Sequence, residues 1–178
     1  MRKSTLLLTT LLTIITIFYS SCDDSNTKKE TIDLSEAIWS HTDRHLELTD
    51  TDLASKMNYY LKKDTDTVRI EQTFNKTTKE SKIIGYSPIN GNEKRNRTYR
   101  YSTIGDSLYL INPFLLTDTL FRGTFKATKQ GSKARLEIRY KATKIELREI
   151  LLEINGDPSI LTSHPDDVSG TYYIIAKE

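Results

Sequence analysis

Three stretches of this chain alternate apolar and polar residues with a period of two, the pattern of strands that have one buried and one wet face. In residues 68–74, Val68, Ile70 and Phe74 share a face, while Arg69, Glu71 and Thr73 point away. In 121–127, Phe121, Gly123, Phe125 and Ala127 oppose Arg122, Thr124 and Lys126. The most regular run sets Ala134, Leu136, Ile138 and Tyr140 against Arg135, Glu137, Arg139 and Lys141. Gln130-Gly131-Ser132 joins the last two runs as a hairpin. Weaker alternation at 82–86, 98–103 and 107–111 predicts further strands, separated by Asn90-Gly91 and Gly105-Asp106. A strand over 39–48 opens the series, and the β-branched run 171–176 closes it. Residues 58–62 read either as another strand or, with Leu53, Met57, Tyr60 and Leu61, as part of a short helix.

One segment has helical spacing and both of its stops. Thr143 followed three residues later by Glu146 fits a capping box, and Leu147, Ile150, Leu151 and Ile154 then recur on one face. Gly156 and Pro158 end it. The same residues, 145–154, also allow a strand, but the caps favour the amphipathic helix.

Consecutive half-wet strands suggest a mainly β fold, an antiparallel meander closed into a barrel or folded as a sandwich. Closure hides strand edges, which matters in a chain with no disulfide. A meander, a late amphipathic helix and a short final strand, with Ala37-Ile38-Trp39 near the start, resemble the lipocalin family and its Gly-x-Trp motif. Here Ala37 replaces the glycine, and Lys177 is the only cation in the final strand. The resemblance covers residues 34–178. It implies a barrel with the helix packed on its outside and the last strand beside the first. It also implies a small apolar ligand inside, with Phe74, Phe125, Leu136 and Ile138 as the side chains that meet it. The alternative is an open sandwich or half-barrel with a packed helix.

The amino terminus carries an address. Met1-Arg2-Lys3 precedes a Thr-interrupted apolar run to Phe18, then Tyr19-Ser20-Ser21-Cys22-Asp23-Asp24. A basic start, an apolar stretch too short to span a bilayer and small residues at the junction read as a cleaved export signal. The cysteine after them makes it a lipoprotein signal, its thiol diacylated and the preceding peptide removed. A bulky residue three before the cysteine and acids straight after it resemble lipoproteins of the Bacteroidota. That resemblance implies residence in the cell envelope, at the outer membrane. The chain thus divides into a signal peptide (1–21), a flexible tether (22–33) and one β-rich domain (34–178). Asp66-Thr67-Val68, Asp106-Ser107-Leu108 and Asp118-Thr119-Leu120 resemble that group's O-glycosylation motif; the plain reading is that they are turns entering strands.

Charge narrows the partners. Lys and Arg number 26 and Asp and Glu 24, but Arg2 and Lys3 lie in the signal, so the exported chain is balanced. No overall field draws it to nucleic acid, and the cluster Lys94, Arg95, Arg97 and Arg100 with Tyr99 and Tyr101 reads as a solvated strand and loop. The sole cysteine is used for lipidation, and there is neither a Gly-x-Ser-x-Gly elbow nor a phosphate-cradling loop. His41-Thr42-Asp43-Arg44-His45 spaces two imidazoles for one face, with Asp43 or His164 as a third ligand, yet no adjacent glutamate is placed as a base. Surface histidines are the favoured reading, with no metal or cofactor and no enzymatic activity expected. The expectation is a lipid-anchored, non-enzymatic binding module for a small apolar ligand. The rivals are a partner-binding, structural or inhibitor subunit of a cell-envelope complex, using exposed tyrosines, and a metal-dependent protein using His41 and His45.

Overall fold

The computed structural model describes residues 29–111 and 119–178. The signal, Cys22, the first part of the tether and Asp118 lie outside the described residues. Eight antiparallel strands form a closed barrel: β2 (Trp39–Leu48), β3 (Arg69–Asn75), β4 (Glu80–Tyr86), β5 (Glu93–Ile104), β6 (Ser107–Ile111), β7 (Thr119–Gln130), β8 (Lys133–Thr143) and β9 (Ser169–Lys177). Each pairs with the next, and β9 inserts between β8 and β2 to close the ring. A two-residue strand, β1 (Glu30–Thr31), lies outside the ring against the lower half of β7. The chain is therefore held to the barrel from Glu30 onward. Barrel closure decides between the two architectures left open by the sequence: this is a barrel of the general lipocalin-like class, with two helices.

The two ends of the barrel differ. One is closed by short turns: 76–79, Gly105-Asp106, and Gly131-Ser132, whose glycine has a φ of +58° that only glycine adopts without strain. A 3₁₀ turn (Leu34–Glu36) seals this end, and the Trp39 indole, wholly buried, donates to the Leu34 carbonyl at 2.8 Å. The opposite end carries both helices, α1 (Thr51–Thr67) and α2 (Lys144–Glu153).

The undecided segment is α1. Asp50 caps it by accepting from the Leu53 N–H at 2.9 Å, and Leu53, Met57, Leu61 and Asp64 form its buried stripe. Its position is unusual. β2 pairs with β3 only at Trp39 and Ser40, although it follows β9 along most of its length. The helix covers the rest of that seam. Asn58 acts as a strand partner there, its Oδ1 accepting from Leu46 N at 2.7 Å and its Nδ2 donating to Leu46 O at 2.9 Å.

Helix α2 starts at the Thr143/Glu146 capping box and buries Leu147, Ile150 and Leu151. Its other side is not simply polar, since Ile145 is 69% exposed and Leu152 43%.

Candidate functional site

Each strand contributes to one layer across the barrel's interior. His41, Gln72, Ile83 and Tyr99 come from β2 to β5; Leu110, Phe121, Tyr140 and Tyr172 come from β6 to β9. Above them Glu153, at the last turn of α2, faces the same space. The void they leave is about 10 Å³, about the size needed for one water. The interior is packed.

The layer is conspicuously polar for a packed core. Gln72 is fully buried; its Nε2 donates to Ser81 Oγ at 2.9 Å, which turns its Oε1 toward His41 Nε2 at 3.1 Å. Burial, aided by the charges of Arg44 and Arg95, lowers the His41 pKa to about 3. The imidazole is therefore neutral at physiological pH, donates from Nε2 and leaves Nδ1 as a bare acceptor. That Nδ1 is buried with no partner, and so is the Tyr140 hydroxyl, which lies near Gln72 without reaching bonding geometry. Burial drives the Tyr99 and Tyr140 phenols up and pushes Tyr172 to about 12, so all three stay protonated.

Directly above this layer sits a buried ion cluster. Arg95 grips Asp64 with both amino groups, at 2.8 and 2.5 Å, and donates to the Glu153 carbonyl at 2.8 Å. Arg44, whose side chain is wholly buried, pairs with the same carboxylate and lies 3.6 Å from the Glu153 side chain. Burial opposes the Arg44 charge, but Tyr172, Glu153 and Asp64 more than offset it and hold its pKa up. Two cations and two anions thus tie β2 and β5 to the ends of both helices. The Nε of each arginine remains unpartnered.

The residues expected to meet an apolar ligand lie elsewhere in the interior. Phe74, Leu136 and Ile138 are buried and inward, and Phe125 is partly buried against the same core. They sit toward the turn-closed end, with Phe74 edge-on to Tyr101 at 5.2 Å, and none borders the void.

The histidine pair does not converge. A β-bulge between His41 and Asp43 slips the register of β2 against β9, so His41 faces inward opposite Ala176 while His45 faces outward opposite Tyr173. His45 stacks on the Tyr173 ring at 4.7 Å and bonds to Asp43. His164 is bound to Asp50, the α1 cap, at 2.6 Å. The described residues hold no group of three or more His, Cys, Asp or Glu that could bind a metal. No described helix is long and apolar enough to cross a membrane.

A second feature lies outside the barrel. Ile145, Arg148, Pro158 and Leu161 line an open, mostly apolar groove of about 880 Å³ between α2 and the following 3₁₀ turn (Pro158–Leu161). Compared with known proteins, the chain matches no family model, no curated protein and no solved structure.

Proposed function

We propose that this chain is a lipid-anchored, non-enzymatic binding module of the bacterial cell envelope, with its ligand site in the helix-capped half of the barrel. One observation carries the reading: inward polar atoms without partners, His41 Nδ1 and Tyr140 Oη, lie beneath Arg44 and Arg95, whose Nε groups also lack partners. Buried polar groups are normally satisfied, and those that are not call for an explanation such as a ligand or ordered water. Aromatic rings flank them, so the fitting ligand is compact, with an aromatic or apolar body and groups that hydrogen-bond. The closed barrel has room for about one water, so a compact ligand is taken up only with α2 lifted from the rim, and a long fatty chain would need a far larger opening.

Native mass spectrometry of protein taken from its own membrane, followed by displacement of a fluorescent aromatic probe, tests this. A co-purifying compound lost from a His41→Leu/Tyr140→Phe variant supports the site. A variant that is more stable yet retains every bound compound would make these groups structural only. Anchoring is tested apart: Cys22→Ser should leave unlipidated precursor that no longer partitions into detergent.

The groove favours a second reading, a protein partner docking on α2, because Ile145 stands exposed beside apolar Pro158.

A further inference from the structure

The balanced charge of the exported chain conceals a one-sided distribution. On the outer face of the barrel, β7 presents Arg122 and Lys126, and β8 presents Lys133, Arg135, Arg139 and Lys141. Lys177 ends β9 beside Arg135. All are exposed. Among the described outward positions of these three strands the only carboxylate is Glu137, which Arg135 engages at 2.9 Å. Period-two geometry sets these cations on one surface, because the inward positions of the same strands are the apolar ones. The surface runs about 27 Å along β8 at roughly 3.4 Å per residue. Arg139 lies over the Tyr173 ring at 5.8 Å, and Tyr173 is stacked on His45 and donates to Glu47 at 3.0 Å. Acids flank the face rather than lie within it: Asp43 and Glu47 point outward on β2, next to β9, and Glu146, Glu149, Asp157, Asp166 and Asp167 gather at the helix-bearing end, where Lys144 engages Asp166.

The tether ends beside this surface. β1 pairs with Thr128 and Lys129 of β7, so a chain anchored at Cys22 leaves the barrel along the edge of the basic face. From Cys22 to Lys29 an extended chain reaches about 24 Å, at roughly 3.4 Å per residue. That reach keeps β7 close to whatever surface holds the anchor.

We propose that the outer face of β7, β8 and the end of β9 lies against the anionic phospholipid headgroups of the leaflet that carries the anchor. The barrel then rests on its side, and its helix-capped end stays open to solvent. Each cation near an anionic surface strengthens partitioning by about fivefold, and a face with one compensated acid combines several. The placement of the tether rests on lipidation of Cys22; the affinity of the face does not.

The test uses the whole mature chain from residue 22 with Cys22→Ser, so that lipid attachment plays no part. Co-sedimentation with vesicles of phosphatidylglycerol and phosphatidylcholine should exceed that with phosphatidylcholine alone by at least tenfold at low salt, and fade as salt is raised. Lys126→Glu/Lys133→Glu/Lys141→Glu should bring binding down to the neutral-vesicle level with an unchanged circular dichroism spectrum. Lys62→Glu/Lys94→Glu, on other surfaces, should leave it intact. Equal binding to both vesicle types, or full binding by the triple variant, overturns the proposal. So does binding to an acidic polypeptide or an oligonucleotide without vesicle binding, which would assign the face to a macromolecular partner. A lipidated wild type that binds both vesicle types would show anchoring to be sound whatever the fate of the face.

Discussion

The two ends of this barrel are closed by opposite chemistry. At the turn end the buried closing parts are local and apolar, two- to four-residue connections and Leu34 under Trp39 five residues on, and the long-range ion pair of Lys76 with Asp33 is exposed. At the helix end the closing parts come from far apart and are charged. Asp64 meets Arg44 and Arg95, twenty and thirty-one residues away in sequence, and Arg95 reaches Glu153 across a further fifty-eight. The wall between is the same sheet. Apolar closure tolerates imprecision because burial is non-directional, whereas a buried ion cluster holds only if every member is in place. The helix end is thus the more breakable.

Removing Asp64 should have the largest effect. Asp64→Ala leaves two buried guanidinium groups without their shared anion and should cost about 3–5 kcal/mol by urea unfolding. Arg44→Met/Asp64→Leu should cost less than the single change, since it removes a cation along with the anion; a larger loss would mean that the cluster adds net stability. At the turn end, Leu136→Ala removes a wholly buried side chain and should cost about 2–4 kcal/mol through the cavity it leaves. Its cost should not vary with salt or pH, and a salt-dependent loss would blur the contrast between the ends.

Smaller effects refine it. Asn58→Ala strips both backbone groups of Leu46 of their partner and should cost about 1–3 kcal/mol, with faster hydrogen exchange confined to the upper half of β2. The smallest concerns pH. His41 has a folded pKa of about 3 against about 6.5 in an unfolded chain. The unfolded state therefore takes up its proton first, and stability, full above pH 6.5, is lost as pH falls toward 3. By pH 5 the loss should be about 1–2 kcal/mol, and His41→Gln should flatten it. Asp33, held down to about 2 by the Ser35 N–H and hydroxyl and by Lys76, loses its contribution in a lower window, below the usual carboxylate range. A profile without a decline between pH 6.5 and 5 would show His41 to be solvated.

What could be read in advance follows the same division. Strands β3, β7 and β8 are legible because their neighbours are near in sequence and one face is wet. The Thr143 capping box marks the start of α2 for the same local reason. Helix α1 was half visible: Leu53, Met57 and Leu61 repeat at four, but the strand-like Tyr59-Tyr60 competes, and the Asp50 cap emerges only in the structure. The bulge at Thr42 was not legible, because one inserted residue has no compositional signal, and it undoes the shared face that spacing gives His41 and His45. The ion cluster was hidden by distance. Gln72 did leave a trace, a polar side chain at an apolar position between Ile70 and Phe74.

The seam beside β2 bears on how this protein fails. A strand with unsatisfied backbone along half its length is a template for another chain, and in the native barrel α1 and Asn58 deny it that use. Each time the chain folds it must assemble this guard on one edge of β2 and bring β9 from the end of the chain to flank the other. Crowded copies caught before that moment would pair through β2, so fraying of α1, which withdraws Leu53, Met57 and Leu61 from the core, is the natural first step toward strand-swapped dimers and fibres.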